Sequence, residues 1–294
     1  MNSITVRAPA KVNLYLKVLS KRKDSYHNIH TLFEQISLAD TVKITKIPKG
    51  IIVKSDAFIT KKQEDNIAYK AASAILRYAK VKSGVRIYIK KKIPIAAGLG
   101  GGSSDAAAVL KGINSLFKLK LDDKTLMRLG GKTGADVPFF ISGASFAVGK
   151  GKGGDISPIK TPLRLWHLLV FPGFKIATKE VYRAFDEASF VLTPKLSNAK
   201  MILPSNKKID YAMVEALLHN DLENTAMSKK KVLGDILRGL EQLLGKVFIV
   251  SGSGPSLFCL YRTGKEAIFA KAKVSRNVPA GQRRGWQIFV VQTS

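Results

Sequence analysis

The residues best suited to chemistry lie in one stretch, Lys92-Ile93-Pro94-Ile95-Ala96-Ala97-Gly98-Leu99-Gly100-Gly101-Gly102-Ser103-Ser104-Asp105-Ala106-Ala107-Ala108. Four of the five residues 98–102 are glycine, and two serines follow. Glycine turns the backbone with no Cβ in the way, so several N–H groups can converge on one ligand. Ahead of the stretch, Val85, Ile87 and Ile89 alternate with Arg86, Tyr88 and Lys90, a half-buried strand pattern. Behind it, Ala106, Val109, Leu110, Ile113 and Phe117 recur at helical spacing, and Ser103 or Ser104 is expected to cap that helix. A helix start adds partial positive charge at the same place. The chemistry expected of a strand, a glycine-rich loop and a helix start is the holding of phosphate. No Gly-Lys-Ser/Thr closes the loop, so it is not a Walker loop, and its glycine spacing is not the dinucleotide fingerprint.

Three further places carry reactive side chains. In Val12-Asn13-Leu14-Tyr15-Leu16-Lys17-Val18 the apolar residues take one strand face, so Lys11 and Asn13 point together from the other, away from that strand's core. Asp136 precedes Val137-Pro138, and Pro138 fits the first turn of a short helix with Asp136 at or beside its N-cap. Asp24-Ser25-Tyr26-His27 offers an aromatic face and a two-nitrogen ring. On local sequence alone each has a plain structural reading: a solvated lysine, a capping aspartate, a loop edge.

Together these segments resemble the GHMP kinases (galactokinase, homoserine kinase, mevalonate kinase and phosphomevalonate kinase among them). Pro9-Ala10-Lys11-Val12-Asn13-Leu14 is similar to the family's first motif. The glycine loop resembles the second motif in its triple-glycine form, and Ser251-Gly252-Ser253-Gly254-Pro255-Ser256 resembles the third. Asp-x-Tyr-His, Gly134-Ala135-Asp136-Val137-Pro138, Thr178-Lys179-Glu180-Val181-Tyr182 and Asn220-Asp221-Leu222-Glu223 resemble one branch, whose acceptor is a cytidine diphosphate sugar alcohol. That branch usually carries glycine where this chain has Ser25, which bears on the turn's backbone torsion.

The resemblance implies an α+β, two-lobed GHMP kinase fold, with an N-terminal lobe like the second domain of ribosomal protein S5 and a ferredoxin-like C-terminal lobe. It implies Lys11 and Asp136 as catalytic residues. Asn66, Lys91, Pro94, Ala97, Gly98, Leu99, Gly100, Gly101, Gly102, Ser103 and Ser104 would bind ATP. Asn13, Tyr26, His27, Thr178 and Tyr182 would bind the acceptor, with Tyr26 and Tyr182 sandwiching the base. Mg²⁺ would accompany ATP, with Ser103 or Ser104 as its protein neighbour. Two rivals stay open: another small-molecule kinase of the family, and a nucleic-acid-binding protein on the same fold.

The elements that must position these groups follow from periodicity and turn residues. Strands are expected at Ile4–Val6, Val12–Val18, Thr31–Glu34, Ala144–Val148, Leu165–Phe171, Val247–Val250, Phe258–Tyr261 and Trp286–Val291. Asn66 should cap a helix whose buried face carries Ile67, Ala71, Ala74, Ile75 and Tyr78. Helices are also expected at Asp122–Leu129, from a Thr178 cap, at Tyr211–His219, at Val232–Leu244 and at Lys265–Ala272. Gly149-Lys150-Gly151-Lys152-Gly153-Gly154 reads as a loop. The lobes should divide near residue 160, as 1–160 and 161–294.

Bulk properties narrow the class. The chain has 294 residues, 46% hydrophobic, with mean hydropathy +0.03, which suits a globular protein with a real core. No apolar run approaches ~18 residues, and no signal-peptide core opens the chain, so a cytoplasmic location without membrane contact is expected. Cys259 is the sole cysteine, which excludes an intrachain disulfide and a thiol-based zinc cluster. The net charge is +28, from 49 Lys+Arg against 21 Asp+Glu. Its clusters at Lys21-Arg22-Lys23, Lys90-Lys91-Lys92, Lys229-Lys230-Lys231 and Arg283-Arg284 are scattered and lack aromatic interleaving. They are expected to favour anionic small molecules over a nucleic-acid partner. A monomer or a homodimer is the expected assembly.

Overall fold

The structure is a computed structural model, and it describes residues 2–188 and 209–294. Two long strands dominate it: β1 (Ser3–Lys21) and β2 (His27–Ile47) pair antiparallel along their length. The two short strands expected in residues 4–18 are one, bent by a register shift between Pro9 and Ala10. Proline has no N–H to give the ladder, and the register shift falls directly after it. A second shift between Asn13 and Tyr15 falls beside the expected catalytic face. The turn between β1 and β2 puts Ser25 at φ 64°, the left-handed region where a glycine would be unstrained.

β3 (Ile51–Ser55), β4 (Gly84–Lys90), β5 (Phe146–Lys150) and β6 (Asp155–Ile159) extend the sheet, in the order β3-β4-β2-β1, with β5 pairing β2 and β6 pairing β5. The expected loop at residues 149–154 shrinks to a tight β5–β6 turn, and β6 had no sequence signal because Asp155-Ile156-Ser157-Pro158-Ile159 carries a proline.

Helices α1 (Ile67–Tyr78), α2 (Gly101–Leu116), α3 (Asp123–Gly131) and α4 (Val137–Ser142) cover this sheet. Asn66 caps α1 as expected, accepting from the Ala68 N–H at 2.9 Å. The buried face of α1 is Ala68, Ala71, Ala72, Ile75 and Leu76, rotated from the expected one, and Tyr78 is exposed. Small residues on α1 and Ala106, Ala107 and Ala108 on α2 let the two helices approach closely in one core. α2 starts earlier than expected. Its N-cap is Gly100, in the left-handed region, and neither Ser103 nor Ser104 caps it. The glycines are therefore themselves the first turn of the helix.

The second sheet holds β7 (Trp166–Phe171), β9 (Ile249–Val250), β10 (Leu257–Tyr261) and β11 (Gln287–Gln292) in the order β11-β7-β10-β9, all antiparallel. In chain order this is 4-1-3-2, the ferredoxin-like arrangement. Around it stand α5 (Thr178–Glu187), α6 (Tyr211–Leu217), α7 (Glu223–Lys229), α8 (Lys231–Leu244) and α9 (Gly264–Asn277). The N-cap of α5 is Ala177, so Thr178 is its first helical residue and not its cap. Between α6 and α7, β8 (His219–Asn220) pairs parallel with Tyr15 and Leu16 of β1. The C-terminal half thus adds a strand to the N-terminal sheet.

Candidate active site

The expected catalytic pair comes together. Lys11 Nζ lies 3.8 Å from Asp136 Oδ2, on elements 125 positions apart (136 − 11). Lys11 also donates to Asn13 Oδ1, Asn13 Nδ2 donates to Thr31 Oγ1 at 2.8 Å, and Thr31 donates to the Tyr15 carbonyl at 2.7 Å. Strand alternation put Lys11 and Asn13 on one side correctly, but that side is not solvated: they are 5% and 1% exposed. Burial pushes the Lys11 ammonium below its ordinary pKa, and the Asp136 carboxylate opposes that shift. Asp136 occupies the N-cap position of α4 yet makes no side-chain cap bond, so its carboxylate is left to Lys11.

The glycine loop closes over this pair. The Lys11 N–H donates to the Leu99 carbonyl at 3.0 Å. A Cβ on Gly100 would stand 2.9 Å from Lys11 Cγ. The N–H groups of Gly101, Gly102 and Ser103 head α2, where no preceding turn accepts them. Ile67, the residue after Asn66, borders the loop at Gly102, whose added Cβ would lie 3.2 Å from Ile67 Cδ1. Pro94 and Ala97 are buried in the approach to the loop.

Lys91 departs from expectation. Its ammonium is held by Asp40 and, at 2.8 Å, by Asp105, so it anchors the base of the loop and offers no free charge to a nucleotide. Burial lowers its pKa, but the two carboxylates outweigh that and raise it. Burial pushes the Asp105 carboxyl up to about 7 against the attraction of Lys91. The two serines also separate. Ser104 Oγ is buried without a partner, whereas Ser103 is partly exposed, with the position of a Cβ on Gly134 only 3.3 Å from its Oγ.

The third glycine turn packs beside the loop. Ser251 Oγ donates to the Gly98 carbonyl at 3.0 Å, and the Ser256 N–H donates to the Ala97 carbonyl at 3.2 Å. Gly98 has φ 78°, and a Cβ there would sit 2.1 Å from the Ser251 carbonyl oxygen. Gly252 has φ 57°, and its Cβ would crowd Lys11 Nζ at 3.3 Å. Asn220 fixes this turn by donating to the Val250 and Gly252 carbonyls at 2.7 and 2.8 Å. Glu223 accepts the Val250 N–H at 2.9 Å.

The expected base pocket is partly assembled. Tyr182 stacks on His27, with centroids 4.9 Å apart and planes inclined by 22°, so its observed ring partner is His27 and not Tyr26. Asp186 holds the same imidazole, its Oδ1 lying 2.7 Å from His27 Nε2. Tyr26 is 52% exposed, with Lys152 Nζ 5.2 Å from its ring centre. Burial, reinforced by the Asp136 charge, drives the Tyr182 hydroxyl pKa upward, so it stays protonated. Thr178 Oγ1 is 2.8 Å from Ser253 Oγ. Sequence reasoning missed Asp186, Lys152, Gly153 and the anchoring role of Asn220. Gly153 lines Asp136, an added Cβ being 3.9 Å from Oδ1. Asp186 had a usable signal, since it stands one turn beyond Tyr182 on α5.

Comparison with known proteins agrees with this geometry. The GHMP kinases N terminal domain matches residues 66–144, and the GHMP kinases C terminal domain matches residues 202–280. The chain belongs to the GHMP kinases. Within that family, several similar relatives share one name. It is 34% identical to 4-diphosphocytidyl-2-C-methyl-D-erythritol kinase of Alkaliphilus metalliredigens, over 97% of this chain and 99% of that one. It is 36% identical to the enzyme of the same name from Clostridioides difficile, over 100% and 96%. A crystal structure of 4-(cytidine 5'-diphospho)-2C-methyl-D-erythritol kinase superposes with TM-score 0.74 at 33% identity, covering 99% of this chain and 100% of that chain. Homoserine kinase from Cytophaga hutchinsonii shares the fold at TM-score 0.69 and 17% identity, over 100% and 95%.

Proposed function

We propose that this chain transfers the γ-phosphoryl group of ATP to the 2-hydroxyl of 4-diphosphocytidyl-2-C-methyl-D-erythritol, a step in non-mevalonate isoprenoid precursor synthesis. The observation that carries the chemistry is the uncapped Asp136 carboxylate facing buried Lys11 beneath the glycine loop. Phosphoryl transfer needs alignment and charge neutralisation more than covalent help. The N–H groups at the head of α2 hold the phosphates. Asp136 takes the acceptor hydroxyl's proton, and Lys11 pairs with its carboxylate and faces the transferring group. Asn13, tied to Thr31, holds Lys11 in place from the other side.

Mg²⁺ prefers oxygen ligands and keeps several waters. The donors present fit it in that role. Among the described residues no cluster of three His, Cys, Asp or Glu forms a dedicated metal cage. The partly exposed Ser103 hydroxyl beside Gly134, in the first turn of α2, would be the ion's protein neighbour, and Ser104 is turned into the interior. Bound there, the ion supplies charge neutralisation of ATP.

The acceptor site comprises Tyr26, His27, Thr178 and Tyr182. We place the division between the lobes near residue 160, after β6, and the site in the cleft between them. Among the described residues no helix is long and apolar enough to cross a membrane. Our reading is a cytoplasmic enzyme of small molecules, monomeric or homodimeric, with no nucleic-acid partner. The test is ATP consumption with a panel of acceptors. Turnover with the cytidylyl compound, and none with homoserine or mevalonate, is the expected result. The opposite order would overturn the substrate assignment while leaving a kinase.

A further inference from the structure

His27 is held by more than the ring it stacks on. Its Nε2 lies 2.7 Å from Asp186 Oδ1, and the other oxygen of Asp186 lies 2.7 Å from Lys21 Nζ. Phe185, from the same turn of α5, meets the imidazole edge-on at 6.5 Å. The His27 side chain is 5% exposed, so the ring is fixed in orientation. Burial opposes ionisation of Asp186, yet the bonds from Lys21 and His27 keep its carboxyl below the ordinary range. An ionised carboxylate only accepts hydrogen bonds. The proton between the two side chains therefore belongs to His27 Nε2. In the neutral ring Nδ1 is then bare and can only accept.

We propose that Asp186 is a specificity-determining positioning residue: it fixes His27 in the tautomer whose bare Nδ1 is matched to the exocyclic amine of cytosine. This rests on the cytidylyl substrate proposed above. A bare nitrogen takes a hydrogen bond from an amino group. Opposite the keto oxygen of uracil, two acceptors face each other, and neither can be satisfied. A site built to bond a polar group rejects the analogue that lacks it, because its own buried atom is left unpaired. Lys21 balances the charge of Asp186, so a negative carboxylate does not stand uncompensated beside an anionic diphosphate substrate.

Asp186→Ala frees Nε2 and lets both tautomers form. Asp186→Glu is the conservative replacement that should restore the bond. The first readout is the pair of imidazole ¹⁵N shifts of His27 at pH 8, in the full-length protein without ligand. The parent and Asp186→Glu should show a protonated Nε2 and a bare Nδ1, and Asp186→Ala a mixture. The second is the ratio of dissociation constants for 4-diphosphocytidyl-2-C-methyl-D-erythritol and its uridine analogue. In Asp186→Ala that ratio should fall about tenfold, equivalent to about 1.4 kcal/mol, with ATP affinity unchanged. A ratio or a tautomer unchanged in Asp186→Ala overturns the role of Asp186. A parent with the stated tautomer but no preference for cytidine overturns the substrate reading, and the specificity role with it.

Discussion

Asp136 stands where an aspartate ordinarily directs its carboxylate to backbone N–H groups, and here it makes none of those bonds. Asp136→Asn keeps the shape and removes the proton acceptor. Turnover is expected to fall by about 10²–10⁴-fold, with ATP affinity and melting temperature at parent values. Single-turnover kinetics and an equilibrium titration check this, and activity near the parent would make Asp136 purely structural. Ser25 gives a stability prediction. A non-glycine residue in the left-handed region costs about 1–2 kcal/mol, and glycine costs about 0.5–1 kcal/mol in chain entropy. Ser25→Gly should therefore stabilise by roughly 0.5–1 kcal/mol, read as a higher urea midpoint with an unchanged slope. A lower midpoint would show that Ser25 carries a favourable contact. At this scale the sequence was readable where periodicity decides a direction. It put Lys11 and Asn13 on one strand face. It could not say that the face is buried, because the groups that close over Lys11, Gly100 and Gly252, come from distant parts of the chain.

Two elements set the proposed phosphate cradle, the start of α2 and the segment beneath it. A side chain added at Gly101 would meet Ile93 at 3.0 Å and Lys91 Nζ at 3.4 Å, inside the protein. A branched residue there would test packing and not phosphate approach. Gly102 is exposed, in the first turn. Gly102→Asp places a negative charge where the helix dipole favours it but bound phosphate does not. The variant should keep the parent's thermal stability and lose ATP affinity in a calorimetric titration. Parent-like affinity would remove the cradle from the head of α2. Beneath the loop, Asp105 titrates near 7 in the fold against 3.8 unperturbed. Between those values the folded state holds the extra proton, so this group's contribution makes stability fall as pH rises from about 4 to 7. Asp105→Asn should flatten that slope in denaturant titrations, and a slope equal to the parent's would show that Asp105 is not its source. The helix itself was legible from its apolar spacing. Its start was not, because serine is a common cap and the left-handed Gly100 that does the capping shows only in torsion.

Across the whole molecule, many single strands and helices were legible from alternation and helical spacing, whereas the two-lobed class came from the motifs and the resemblance they carry. The bridging contacts were not legible. His167 on β7 reaches Glu34 on β2 at 3.0 Å, and Thr293 donates to Glu34 at 2.6 Å, all three buried. Such pairs join residues more than 120 positions apart, and no local rule selects them. The +28 charge belongs to this scale as well. Its scattered distribution predicts only salt-sensitive, non-specific attraction for nucleic acid. Retention of RNA on a filter should drop by orders of magnitude between 50 and 200 mM salt while turnover persists. Retention that survives 200 mM salt would revive the nucleic-acid reading.

β8 lies beside β1, the strand that carries Lys11, and Asn220 at its end holds the turn that carries Gly252. On the β1 side the N-terminal sheet therefore takes its edge strand from the other half of the chain. This restricts how the protein can be recombined. A hybrid that exchanges C-terminal lobes between two relatives at residue 160 imports a foreign edge for β1 and a foreign clamp for the turn over Lys11. Residues 219–223 would have to travel with the N-terminal lobe, although more than fifty positions separate them from the place where the chain looks divisible.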